Sequence, residues 1–335
     1  MKDAYTLLAD KLGHGGSERF RKILSRLMDE DGAQIAASLP CPVPELAQKL
    51  SKKEEDITGK LEELSGRGVV FMTSRGYQFA RDLLQLHDAT ASDVRLDDIW
   101  GRELLDLWED FCQAEWYPDW AKGIQTLNVP AWRIIPARKA VPEGASLLPA
   151  EDLESILDRS TKFAVVHCAC RRAAARCDLP LEVCLQLNRG AEYVVARGTG
   201  RELTREEAMD VLDGAVGAGL IHSVYNLSQA INVICNCCTD CCVFYYPLSR
   251  YGGLEKGVAK SRFRAEVDQA TCMGCQTCVE RCPFGAIEMV KVPGEKKLKA
   301  QVDAEGCFGC GVCVVGCESD SIKLVEVRPP EQVPA

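Results

Sequence analysis

Cys272-Met273-Gly274-Cys275-Gln276-Thr277-Cys278-Val279-Glu280-Arg281-Cys282-Pro283 and Cys307-Phe308-Gly309-Cys310-Gly311-Val312-Cys313-Val314-Val315-Gly316-Cys317 share one spacing. In each run three cysteines stand at steps of three, and a fourth follows four residues later. A short turning backbone aims the first three sulfurs into one pocket, while the fourth lies beyond its reach and ligates the other cluster. Two such runs imply two [4Fe-4S] clusters with crossed ligation. Cys272, Cys275, Cys278 and Cys317 are expected to hold one; Cys307, Cys310, Cys313 and Cys282 are expected to hold the other. Zinc ribbons use separated Cys-x2-Cys pairs instead of such runs, and a disulfide framework belongs to short secreted chains.

The runs also form an internal repeat. Arg264-Ala265-Glu266-Val267-Asp268 precedes the first as Lys299-Ala300-Gln301-Val302-Asp303 precedes the second, and Ile287 matches Ile322. Each half reads as strand, cluster loop, short helix and strand, with a turn at Pro293-Gly294 between the halves. Residues 262–327 closely resemble the bacterial dicluster ferredoxin family. The resemblance implies two closely spaced low-potential clusters that pass electrons singly. One departure is that Glu318 follows Cys317 where Pro283 follows Cys282. A carboxylate beside a ligand disfavours adding an electron there.

The chain of 335 residues is long enough for several cores. Its net charge of −9 argues against a general nucleic-acid binder. The N-terminus carries no basic-apolar signal, and no apolar run is long enough to span a membrane. Nineteen cysteines then read as reduced metal ligands in a cytoplasmic protein of a low-oxygen cell. The expected class is α+β and multi-domain: an N-terminal winged helix (1–90), a Trp-rich helical segment and Pro-rich linker (91–150), a central Cys-rich α/β domain (151–260) and a C-terminal dicluster ferredoxin-like domain (261–335).

Residues 18–90 resemble the winged-helix domains of bacterial regulators. Pro44–Leu50 reads as one helix, and Ser51 with Glu54 reads as a capping box for a second whose apolar face is Ile57, Leu61 and Leu64. Val69-Val70-Phe71 and Tyr77-Gln78-Phe79 read as a hairpin. The second helix is net acidic, so phosphates would repel it and DNA is not an expected partner. Trp100, Leu104, Leu107, Trp108 and Phe111 follow helical spacing, which favours a packed helix over a docking surface. Pro130, Pro136, Pro142 and Pro149 read as an extended linker. Cys41 and Cys112, in apolar contexts, read as structural.

The central hundred residues hold Cys168, Cys170, Cys177, Cys184, Cys235, Cys237, Cys238, Cys241 and Cys242. Phe163–Val166 and Ile231–Ile234 read as apolar strands that end at Cys168 and Cys235, so the two groups are expected to face one crevice. Adjacent side chains diverge along extended chain, so Cys237-Cys238 and Cys241-Cys242 suit two different centres. One or two additional Fe–S clusters are expected. Zinc, for instance at Cys168, Cys170, Cys238 and Cys241, and metal-free dithiols are the alternatives. The spacing of Cys177 and Cys184 matches no ligand pattern and makes them the outsiders. His167 and His222 read as hydrogen-bonding residues; Arg171 and Arg172 could offset cluster charge or bind an anion. Thr204 and Glu207 form a capping box.

No phosphate-cradling Gly-x-Gly-x-x-Gly, P-loop or nucleophile triad is evident. The expected function is therefore an electron-transfer subunit or redox partner of a larger anaerobic oxidoreductase complex. A reductase with an open central iron, or a redox-sensing winged-helix regulator, are the competing readings.

Overall fold

A computed structural model describes residues 2–227 and 231–333, in two units: Met1–Tyr117 with His167–Ala175, and Pro118–Val166 with Arg176–Ala335. In the first unit the side chains of Asp3, Ser17 and Asp29 cap successive helices by accepting from the backbone N–H groups of Thr6, Phe20 and Gly32. Helix Glu18–Leu27 buries Phe20, Ile23, Leu24 and Leu27, one stripe at helical spacing. Helices Val43–Leu50 and Glu54–Gly66 follow, and then strands β1 (Val70–Thr73) and β2 (Gly76–Phe79) pair as a tight antiparallel hairpin with Thr73 opposite Gly76.

Ser51 does not cap the second of these helices. It closes the first in the left-handed conformation (φ 54°), and Lys53 precedes Glu54 with no side-chain cap bond. The chain must reverse between the two helices, and that reversal takes Ser51 out of the extended backbone an N-cap needs. Three cations of this region are tied down: Lys60 pairs with Asp29 and Glu63, Lys52 with Asp31, and Arg67 with Glu63.

The tryptophan stripe is broken as well. Gly101 (φ 55°) separates Asp97–Trp100 from helix Glu103–Phe111, so Trp100 leaves the register of its neighbours. Trp108 and Phe111 are fully buried among Phe20, His87 and Trp116, which makes their role one of packing.

In the second unit, strands β3 (Trp132–Ile134), β4 (Phe163–His167), β5 (Glu182–Leu187), β6 (Arg201–Leu203), β7 (Ile221–Tyr225), β8 (Val233–Cys237) and β9 (Val258–Ala259) form a sheet in the order β6-β4-β5-β8-β7-β3-β9. The stretch read as a linker thus supplies β3, which pairs antiparallel with β7 and parallel with β9. Burying Trp132 and Ile134 outweighs the prolines flanking them. Leu185, Leu187 and Ile234 join Leu153, Ile156 and Leu157 and the helix Arg205–Gly217 in one core. That helix opens on the expected Thr204–Glu207 capping box.

The C-terminal repeat folds as two hairpin-like pairs. Strand β10 (Phe263–Val267) pairs with β13 (Ile322–Glu326), and β11 (Ile287–Val290) pairs with β12 (Lys299–Val302), each antiparallel. Short helices Thr277–Arg281 and Val312–Val315 occupy matching positions in the two halves. Arg281 donates to the carbonyl groups of Val216 and Gly217 at the end of helix Arg205–Gly217, where a cation also meets the negative end of the helix dipole.

Candidate metal centres

The cluster loops turn where a side chain would collide. Gly274 and Gly309 both take φ near +70°, and a Cβ at either would lie 2.3 Å from the Leu298 carbonyl oxygen or 2.1 Å from that of Phe263. The loops therefore hug the strands, and two cavities open beside them. One is lined by Cys307, Cys310, Cys313 and Cys282; the other by Cys272, Cys275, Cys278 and Cys317. Each thus draws three cysteines from one run and the fourth from the other. The donors fit a cubane, which takes four thiolates.

Backbone N–H groups of Ala286 and Ala265 point at Cys282 Sγ (3.2 Å) and Cys307 Sγ (3.5 Å), a polarity suited to thiolate. Burial pushes the Cys310 thiol up to about 12 and raises Cys313, Cys278 and Cys282 too. Metal loading must therefore displace protons from these sulfurs. Cys275 is exposed and, with Thr277 donating to it, lies below its usual range. Glu318 is exposed, so its charge is screened. Glu318→Gln is expected to ease reduction of the cluster near Cys275 by no more than a few tenths of a kcal/mol, and to leave the other unchanged in a potentiometric EPR titration. A large shift would show that the carboxylate turns inward.

In the central region, Cys235 and Cys237 belong to strand β8 itself and do not follow it in a loop. Alternation puts them on one face and Asn236 on the other, where Asn236 binds His222 Nδ1 at 2.6 Å and the Val183 carbonyl. His222 is buried and is a hydrogen-bonding residue there. The antiparallel β5–β8 register sets Leu185 opposite Ile234, so the adjoining Cys184 and Cys235 come within hydrogen-bond reach. A hydrogen bond with Cys184 is the main cause raising the Cys235 thiol. Cys237 bonds with Cys235 in turn and lies 3.5 Å from Cys242. Four sulfurs thus form a string: Cys184, Cys235, Cys237, Cys242.

The adjacent cysteines look elsewhere. Cys177 Sγ stands 3.9 Å from Cys238 Sγ and 3.7 Å from Cys241 Sγ, so the chain brings both spacing outsiders, Cys177 and Cys184, to other cysteines. Sequence reasoning missed Asp240, whose carboxylate shares this group; its place inside the Cys238-x2-Cys241 step was the available signal. Burial pushes the Asp240 carboxyl up, but hydrogen bonds from Cys238, its own N–H, Cys241 and Cys177 hold it below the usual range. Arg176 donates to the Asp240 carbonyl at 2.6 Å and stacks over Tyr246.

Cys168 and Cys170 lie in the first unit, where Cys168 precedes helix Ala169–Ala174. Their mutual hydrogen bond and burial raise the Cys168 thiol, against the pull of Arg171. Cys170 sits with His87 and Asp88. Arg172 is buried with both Asp97 carboxylate oxygens at 2.6 Å and is committed to that pair. Cys112 is buried and Cys41 half-buried.

Residues 271–322 match the family model of the 4Fe-4S dicluster domain, so the C-terminal region is a domain of that class; residues 18–90 lie outside the match. Over 79 residues the chain is 34% identical to a probable iron–sulfur subunit encoded in the Frd operon of Proteus vulgaris, covering 23% of this chain and 46% of that protein. Over 38 residues it is 53% identical to an iron–sulfur subunit of the CoB–CoM heterodisulfide reductase of Methanopyrus kandleri, covering 11% of this chain and 6% of that one. The chain thus spans less than half of either relative. No solved structure matches it. The protein is an iron–sulfur protein similar in part to iron–sulfur subunits, and no helix among the described residues is long and apolar enough to cross a membrane.

Proposed function

We propose that the protein is an electron-transfer subunit or dedicated partner of a larger anaerobic oxidoreductase, with two [4Fe-4S] clusters in the C-terminal domain and a further iron–sulfur centre on the cysteine string of the sheet. Clusters supply one-electron transfer; the chain supplies the ligands, the burial and the path. The observation that carries the reading is Tyr245. Fully buried, it donates to or accepts from Ser223 Oγ at 2.7 Å and packs its ring on Phe284, which stacks on Phe308 in the lining of one cluster cavity. Burial first, then the thiols of Cys237, Cys242 and Cys310, push its phenol up. One side chain therefore stands between the string and the cavity of Cys282, Cys307, Cys310 and Cys313. Both relatives are named as subunits, which favours a partner protein as the destination of the electrons.

Anaerobically purified protein is expected to carry more than about eight irons per chain, to be reduced by an artificial donor, and to turn over no small substrate alone. Cyanide and carbon monoxide should leave its reduced EPR spectrum untouched. A reproducible shift would favour an open iron and make the reductase reading the better one. With Lys60 and Arg67 held in ion pairs and helix Glu54–Gly66 net acidic, duplex DNA should not be retarded at low salt. Retardation by the purified protein would favour the regulator.

A further inference from the structure

The two central cysteine groups differ in how their sulfurs are spaced. A zinc–thiolate bond of about 2.3 Å makes the edge of a tetrahedral site about 3.8 Å. The distances from Cys177 Sγ to Cys238 Sγ and Cys241 Sγ, 3.9 and 3.7 Å, bracket that edge. With Asp240 the ligand atoms all lie within 4.8 Å of one another. Around a cubane each thiolate sits on its own iron, which spreads the sulfurs to roughly 6 Å. Among the described residues no three of the eight dicluster cysteines converge within 4.8 Å, as befits their cavities.

We propose that Cys177, Cys238, Cys241 and Asp240 form a mononuclear tetrahedral zinc site, separate from every iron–sulfur centre of the chain. Cys238-Thr239-Asp240-Cys241 is the Cys-x2-Cys step that structural zinc sites use to present two sulfurs from one tight turn. Cys177 arrives from the segment ahead of β5 and closes the third corner. Asp240 supplies the fourth: its carboxylate has a buried Oδ1 and lies among the same three sulfurs, where a cation would take the place of the thiol protons that now bond to it. Three thiolates and a carboxylate leave a zinc complex doubly negative, and the Arg176 guanidinium lies against the same turn. The metal would pin the segment after Ala175 to the turn that follows β8, and so fix how Cys237 and Cys242 are presented.

The inference does not rest on the electron-transfer reading, because iron and zinc are read separately in one sample. Full-length protein, purified anaerobically with both metals in the medium, is expected to hold one zinc per chain, with three sulfurs near about 2.3 Å and one oxygen near about 2.0 Å by X-ray absorption at the zinc edge. Cys241→Ser should lower zinc content at least tenfold while the EPR signals of the dicluster domain persist. Asp240→Asn, which keeps the shape of the turn should Cys241→Ser fail to fold, should weaken zinc retention against a chelator at least tenfold. Iron and labile sulfide lost in place of zinc would overturn the proposal and assign a cluster to the group. A zinc edge showing four sulfurs would overturn the role of Asp240.

Discussion

Cys317→Ala is expected to remove the cluster framed by Cys272, Cys275 and Cys278, although Cys317 belongs to the other run. The cavity beside those three cysteines is completed by Cys317, Ser319 and Ser321 from the end of the second half. A cubane deprived of one thiolate exposes an iron to solvent, so about four irons per chain should be lost or converted. The signal of the cluster beside Cys307, Cys310 and Cys313 should persist, since Cys282 completes that cavity. Iron analysis with EPR of the reduced variant decides the matter. Loss of the Cys307, Cys310 and Cys313 cluster in its place would mean that each run ligates its own cluster, and the cavity linings would then not be the ligand sets.

The largest effect on stability is expected at Arg262. Arg262 and Glu151 are 3% and 2% exposed and meet at 2.7 Å; Arg262 also donates to Glu326 and to the Ser146 carbonyl. Arg262→Met would leave a buried carboxylate without its partner, a loss of about 3–5 kcal/mol. Arg133, buried and lowered to about 10 by that burial, lies within the field of Glu151 and can offset part of it. The midpoint of urea unfolding under anaerobic conditions should fall accordingly, and Glu151→Gln in the same chain should restore part of it by removing the stranded charge. An unchanged midpoint would show that Arg133 or water takes the place of Arg262 beside Glu151. The pair ties residues 146–151 to β10 and β13, so early loss of the dicluster absorbance would accompany the destabilisation.

The dicluster domain was the most legible part of the chain, because the ligand pattern lies within single turning loops. Strand, loop, short helix and strand appear in both halves where the repeat placed them, and the family match covers the same region. The helix, helix and hairpin order of residues 43–79 was legible too, from apolar spacing and glycines. Its cap was not, since Ser51 as the end of one helix and Ser51 as the start of the next look alike in sequence. The prolines after Pro130 suggested an open linker because local propensity carries no record of a sheet edge with room for Trp132 and Ile134.

The central cysteines separate what sequence determines from what tertiary structure decides. Neighbouring side chains in an extended chain must diverge, so Cys237 and Cys238 were bound to face different surroundings whatever the fold. Which surroundings those are depends on contacts between distant segments. Cys184 reaches Cys235 because β5 and β8 pair antiparallel in one register, and a one-residue slip would turn it to the other face. Cys177 reaches Cys238 and Cys241 across more than sixty residues of chain. Spacing encodes a metal site only where one loop holds its ligands; where strands and turns share them, register and packing choose the partners.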